Sequence, residues 1–207
     1  MKYFIKIVII GLVFFMSKVL TLSAETKPLM IEITQGIIKP MPIALSQFTA
    51  IGDTTPQYVD QITSVIMADL VGSGLFREIP RSAHVSANTN FNNPVKFSDW
   101  RVINVDALIT GSVNIQGDKL ILQFRLFDVF AQKPLGEGLQ FQASIGNWRR
   151  MAHKISDAVY SRLTGEAAYF DSRVVYISEQ GPKNARKKRL TIMDYDGANS
   201  RFLTDDN

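Results

Sequence analysis

The chain has 207 residues, 23 Lys and Arg against 19 Asp and Glu, and no cysteine. Without cysteine there is no disulfide redox chemistry, no thiolate metal site and no thiol nucleophile, so stability has to come from an apolar core. The formal net charge of +4 is modest, and three of the lysines sit in the first 24 residues, which carry no acid.

Those first 24 residues have the layout of a secretory signal peptide. Lys2 and Lys6 open it, residues 7–16 form an apolar run broken only by Gly11, and residues 19–22 resume the run after Ser17-Lys18. Leu22-Ser23-Ala24 then offers a small-residue exit before Glu25. A spanning helix needs about 20 predominantly apolar residues; residues 7–22, with Lys18 among them, are too few, so cleavage is favoured over anchoring. The expectation is a mature chain of residues 25–207, outside the cytoplasm and without stable membrane insertion. It would keep 20 basic residues against 19 acidic ones, a net charge of +1. That near-neutral balance argues against a nucleic-acid partner, because phosphate binding needs a concentrated basic face.

Met30-Ile31-Glu32-Ile33-Thr34 is a short β-like run followed by Gly36, and Pro40 and Pro42 bracket an extended piece. Residues 43–48 read as a strand and 49–55 as a loop. Thr55-Pro56 is a helix start, a hydroxyl cap followed by proline where its missing N–H costs nothing. Val59, Ile62, Ile66 and Leu70 follow at helical spacing, and Gly72 and Gly74 end the helix. Residues 75–79 read as a strand closed by Pro80. Residues 81–96 are polar and turn-rich, and Ser98 is placed to cap a short helix over 99–104 containing Trp100.

Residues 107–115 and 120–129 form a hairpin around Gln116-Gly117-Asp118-Lys119, with Leu120, Leu122, Phe124 and Leu126 on one face. Another strand covers 139–144. The clearest helix follows: Trp148, Met151, Ala152, Ile155, Ala158, Val159, Arg162 and Leu163 repeat at 3.6-residue spacing, with Asn147 as cap and Gly165 just past the end. The fold class is α+β: a mixed sheet of about five strands with two main helices on one face. After Gly165, residues 173–178, 190–195 and 201–203 read as three strands, with Asp196-Gly197 a tight turn and a basic loop over 183–189. Three short strands cannot bury a core alone, so they look like the opening of a repeated β unit.

This order of segments resembles the TolB family of the periplasmic Tol–Pal envelope system. Four stretches carry the match: IEITQGIIKPMPIAL, IMADLVGSGLFREI, DALITGSV and DYDG. The resemblance implies a signal peptide over 1–24, a partner-binding segment over 25–36, the family's N-terminal α/β domain over 37–165 and the start of an antiparallel β-propeller over 166–207. On that reading the chain is C-terminally truncated within its first blade. The propeller surface that docks the lipoprotein Pal in the family is then almost wholly missing, which puts Pal binding by this chain in question. The family's other contact is made by the N-terminal mature segment with the C-terminal domain of TolA. Carried over by position, it falls on Glu25, Leu29, Met30, Ile31, Glu32, Ile33 and Thr34. The alternation of residues 30–34 suits addition to a partner's sheet edge, and an edge strand of its own domain suits it equally. The implied role is a non-catalytic periplasmic interaction component in a Gram-negative envelope, supporting outer-membrane integrity, envelope invagination at division and bacteriocin or protein import, with no cofactor.

Catalytic and metal chemistry finds little support in the residues. His84 lies in the polar loop and His153 on the last helix, read here as away from its apolar stripe; neither has a second ligand at metal spacing. Gly72-Ser73-Gly74 follows a helix, whereas phosphate-binding loops precede one. Asp194, Asp196 and Gly197 lack the spaced ligands of a calcium loop. Lys183, Arg186, Lys187, Lys188 and Arg189 read as a solvated loop. Ser46, Ser73, Ser112 and Ser144 sit in no nucleophile-elbow context. The alternatives are a periplasmic hydrolase acting on envelope material, supported by α/β content alone, and a truncated remnant without function.

Overall fold

The computed structural model describes residues 33–34, 37–85 and 91–204. Its core is a mixed sheet built on one long hairpin. Strand β6 (Ala107–Gln116) pairs antiparallel with β7 (Lys119–Asp128) along its whole length, turning at Gly117 with a φ of +60°. On the other side of β6 lie two strands end to end, both parallel to it: β3 (Met41–Leu45) along its first half and β4 (Thr49–Gly52) along its second. Strand β5 (Phe76–Glu78) adds parallel to β3 at one edge, while β8 (Lys133–Pro134) and β9 (Leu139–Ser144) share the far side of β7. Seven strands thus occupy the five positions expected from the sequence, because two positions are split.

The split between β3 and β4 corrects the reading of 49–55 as a loop. The Ser46 N–H still donates to the Ile109 carbonyl, and residues 47–48 then step out of the ladder so that the Phe48 ring, 2% exposed, can turn into the core. It lies across Gly111, where an added Cβ would stand 2.5 Å from the ring. Thr54 closes the second strand: its Oγ1 accepts the Ile115 N–H at 2.9 Å and contacts the Ile51 and Val113 carbonyls at 2.6 and 3.1 Å.

Helix α1 (Pro56–Gly72) begins as its sequence indicates, with Thr55 Oγ1 accepting the Tyr58 N–H. Helix α3 (Trp148–Thr164) ends at Gly165, which is left-handed. Asn147 precedes α3 but does not cap it; its Nδ2 donates to Ser144 Oγ instead. A single 3-10 turn over Ile145–Asn147 delivers the chain already coiled, so a capping oxygen is not needed. The short helix α2 (Phe97–Arg101) starts two residues before its expected position, and Ser98 makes no cap.

Helices α1 and α3 cover one sheet face. Val59, Ile62, Ile66, Leu70, Ile155, Val159 and Leu163 pack there on Ile43, Ile109, Val113, Leu120, Leu122, Phe124 and Leu126. The opposite face is covered at one end by residues 79–85 and 91–105, where Trp100, Ile79 and Val105 pack on Ala44, Leu108 and Phe127. His84 belongs to this layer, its ring 4.9 Å from Trp100 and its Nε2–H donating to the Ile79 carbonyl. The rest of that face is mixed: Ser112, Gln123 and Gln140 are hydrogen-bonded in a row across three strands, and the next row sets Ile51 and Ile121 beside Asn114 and Gln142.

Strands β1 (Ile33–Thr34) and β2 (Ile37–Ile38) pair with each other, apart from the main sheet. A second separate sheet joins β10 (Arg173–Gln180), β11 (Lys187–Asp194) and β12 (Arg201–Phe202) in antiparallel order. Its side chains stay largely in solvent: Val174, Val175, Tyr176, Ile177, Leu190 and Phe202 are all exposed. The ladder extends further than the basic stretch suggested, since Lys187, Lys188 and Arg189 stand in β11. Glu179 binds both Arg186 and Lys188, and the Arg189 guanidinium lies over the Phe202 ring.

Candidate functional site

The densest polar constellation lies where the three-stranded sheet meets the helical layer. Asp69 comes from the last turns of α1, where its neighbours at i−3 and i+1, Ile66 and Leu70, are fully buried. His153 comes from the first turns of α3, between Ala152 and Ile155. Both Asp69 and His153 are 2% exposed, so His153 is a core residue and the expectation of a surface histidine is overturned. Its position, two residues after Met151 and two before Ile155, falls at the border of the apolar stripe. The packing of α3 against α1 widens the buried face to include it.

His153 Nδ1 lies 2.8 Å from Asp69 Oδ2. Its Nε2 is also buried, makes no hydrogen bond, and points toward Asp196 Oδ2 at 3.7 Å. Asp196 belongs to the turn between β11 and β12, held by Gly197 at a φ of +85° and by the Ala198 N–H donating to Asp196 Oδ1. Arg149, one turn before His153 on α3, donates Nε–H and Nη2–H to the same Asp196 oxygen. Tyr195 completes the group: its hydroxyl lies within the field of the Asp69 carboxylate, and its ring stands edge-on to His153 at 5.9 Å.

Electrostatics follow from this placement. Burial pushes His153 toward the neutral form, but the Asp69 hydrogen bond and the charges of Asp69 and Asp196 outweigh burial and the opposing charge of Arg149, so its pKa is raised. Burial would raise Asp196, yet Arg149, the Ala198 N–H and His153 together hold it below the ordinary carboxylate range. Tyr195 is pushed up by burial and by the negative charge of Asp69. The three acid and imidazole groups offer ligand atoms within 4.8 Å of one another. A cation there would have to displace the Arg149 guanidinium from Asp196, so the arrangement favours charge pairing over metal coordination.

Beside this group, Phe170 plugs the joint. It is fully buried, with Tyr160, Tyr169 and Tyr195 at ring distances of 5.5, 4.7 and 5.5 Å. Asp157 of α3 accepts the Phe170 and Asp171 N–H groups, and Asp171 in turn binds Arg150 and Lys154. The Tyr195 N–H donates to the Ser172 carbonyl. Sequence reasoning found the helix and the Asp196-Gly197 turn but missed that they meet; the one available signal was an acid, Asp69, inside an apolar helical face.

Two clefts flank these elements. A groove of about 480 Å³ runs along α1 between Leu45, Thr63, Met67, Val71, Glu78 and Arg81; Arg81 is tied to Asp60 and Thr63. A smaller one of about 210 Å³, lined by Asn147, Arg150, Arg173, Asp194, Asn199 and Arg201, opens beside the joint. Neither sets a nucleophile beside a base. Of the residues assigned to partner binding, Glu25, Leu29, Met30, Ile31 and Glu32 lie outside the described residues, while the backbones of Ile33 and Thr34 pair with Ile38 and Ile37. Among the described residues no helix is long and apolar enough to cross a membrane.

Together these features define an α+β protein: a mixed sheet under two helices, linked through a buried polar joint to a separate antiparallel sheet. The TolB amino-terminal domain model matches residues 29–135, and the chain belongs to the TolB family. It is 57% identical over 182 residues to the Tol-Pal system protein TolB of Cereibacter sphaeroides, covering 88% of this chain and 41% of that protein. Against the Tol-Pal system protein TolB of Dinoroseobacter shibae it is 59% identical over 179 residues, 86% of this chain and 40% of that protein. The crystal structure of TolB from Acinetobacter baumannii shares the fold, with a TM-score of 0.67 at 24% identity over 84% of this chain and 41% of that one. The chain therefore spans about two-fifths of the length of these relatives.

Proposed function

We propose that this chain acts as a non-catalytic interaction component of the Tol–Pal system in the periplasm, after export by the signal at residues 1–24. The observation that carries the reading is the 57% identity to a protein named for that system, over most of this chain. Residues 37–165 form the body and 166–207 open a β-propeller; the exposed apolar side chains of β10–β12 support this, since they await neighbours. Residues 25–36 form the TolA-binding segment, adding as a strand to the edge of the TolA C-terminal domain. Ile33–Thr34 pairs with Ile37–Ile38 and not with the main sheet, which supports a segment free to exchange one strand partner for another. Through that contact the chain would serve outer-membrane integrity, envelope invagination at division and import of bacteriocins.

The test is calorimetric titration of residues 25–207 against the TolA C-terminal domain, beside residues 35–207. Binding by the longer chain alone is the expected result, with both chains equally folded by circular dichroism. Equal affinity of the two overturns the assignment of the segment; binding by neither overturns the interaction role and leaves a chain without the family's function.

A further inference from the structure

We propose that Asp69, His153 and Asp196 form a proton-operated clip that sets how firmly the β11–β12 turn, and with it the three-stranded sheet, is held against the helical layer. This goes beyond the interaction role and does not depend on it. The geometry carries the inference. One imidazole stands between two carboxylates that come from different parts of the chain, Asp69 on α1 and Asp196 on the turn. Asp69 takes Nδ1–H at 2.8 Å. That leaves Nε2 buried, unpartnered and aimed at a carboxylate oxygen 3.7 Å away.

In the neutral ring with its hydrogen on Nδ1, the Nε2 lone pair faces the Asp196 oxygen, two acceptors with no hydrogen between them, and burial makes this costly. A proton on Nε2 turns the same pair into donor and acceptor, and a closing movement of less than about 1 Å reaches charged hydrogen-bond distance. The other charged and titratable groups around the ring are accounted for. Arg149, on the same helix, holds Asp196 in either state and keeps it charged. Tyr195 from the turn and Tyr169 from the chain between α3 and β10 are both pushed up, so they stay neutral. Asp157 on α3 is engaged with the Phe170 and Asp171 backbone.

The sign follows directly. The pKa of His153 is raised in the folded chain, so the stabilisation it supplies is complete below its unfolded value of 6.5 and is lost as pH rises through the higher folded value. Asp196 is held below 3.8, so acid removes its share only below that. Between those limits the clip is closed; on the alkaline side the turn loses its His153 contact and keeps Arg149 and the Tyr195–Ser172 hydrogen bond, and the sheet loosens.

The test measures amide exchange of the full chain at about pH 5.5 and about pH 8.5, bracketing histidine titration and corrected for intrinsic exchange. The reporters are the Tyr195, Gly197 and Ala198 N–H groups, whose acceptors are the Ser172 carbonyl, the Asp194 carbonyl and Asp196 Oδ1. Wild type is expected to lose about tenfold in protection on going alkaline, the size of one charge-assisted hydrogen bond, and His153→Gln to show no such fall. A second variant, Asp196→Asn, sits on the exposed turn and leaves the core intact; by NMR its His153 ring should titrate at lower pH than in wild type. Protection that is flat in wild type, an equal fall in His153→Gln, or an unmoved His153 midpoint in Asp196→Asn each overturn the clip. If His153→Gln does not fold, the midpoint in Asp196→Asn decides alone.

Discussion

Phe170→Ala tests whether the joint is an energetic unit of the fold. Phe170 has no exposed surface and lies among three tyrosine rings contributed by α3, the segment after it and the turn after β11. Phe→Ala in a core costs about 3–5 kcal/mol, from lost transfer energy plus the cavity left behind. Each edge-on or tilted ring pair adds about 0.5–1.5 kcal/mol to what is lost, so the upper half of that range is expected. One kcal/mol shifts Tm by about 2–4 °C in a chain of 150–250 residues, so a loss of about 4–5 kcal/mol gives a fall of about 8–20 °C. The measurement is thermal unfolding by circular dichroism, with limited proteolysis of the folded variant at residues 165–172. The expected outcome is a large fall in Tm with faster cleavage there. A fall under about 3 °C would show that the helical layer does not use this aromatic plug, and that the three-stranded sheet merely hangs from its linker.

Four further outcomes are expected. Gly111→Ala places a Cβ 2.5 Å from the Phe48 ring and 2.6 Å from the Gln123 carbonyl oxygen; chemical denaturation should show a loss near the top of the about 1–3 kcal/mol range for overpacking. Thr54→Val removes the acceptor of the Ile115 N–H and should cost about 1–3 kcal/mol, the penalty of an orphaned buried donor, read by the same method. In the folded chain burial raises Asp171, but Arg150 and Lys154 outweigh it and hold it below 3.8. Their stabilisation is therefore present above pH 3.8 and lost as pH falls through the folded value, so the Tm difference between wild type and Asp171→Asn should shrink toward zero in acid. Finally, Val175 and Ile177 project from one face of β10 at 53% and 62% exposure, so the chain should bind a hydrophobic dye, and Val175→Lys with Ile177→Lys should lower that signal without lowering Tm.

The local elements were legible because their signals are local. Thr55-Pro56 and Gly165 mark helix ends through the chemistry of single positions, and alternation in residues 120–126 fixes which side of β7 is buried whatever it packs on. The same holds for the Asp196-Gly197 turn. Family membership was legible too, since it rests on ordered stretches of residues and not on their contacts. Where local reading failed, a partner distant in sequence had intervened. Phe48 breaks the first sheet position in two because Gly111, 63 residues later, leaves room for its ring. Asn147 caps nothing and donates to Ser144 Oγ instead, because a 3-10 turn has already coiled the chain ahead of α3.

His153 is the plainest case. By spacing it stands at the margin of an apolar stripe, and margins are usually wet. Only the packing of α3 on α1, 84 residues apart at the Asp69–His153 pair, takes it out of water and gives it a carboxylate on one nitrogen. Only the return of the chain through Tyr195 and Asp196 sets a second carboxylate before the other. Sequence determined which residues would be helix, strand and turn, because those choices depend on neighbours a few positions away. The tertiary fold decided which charges share a buried volume, because the energy of a charge depends on everything within several ångströms, however far along the chain it lies.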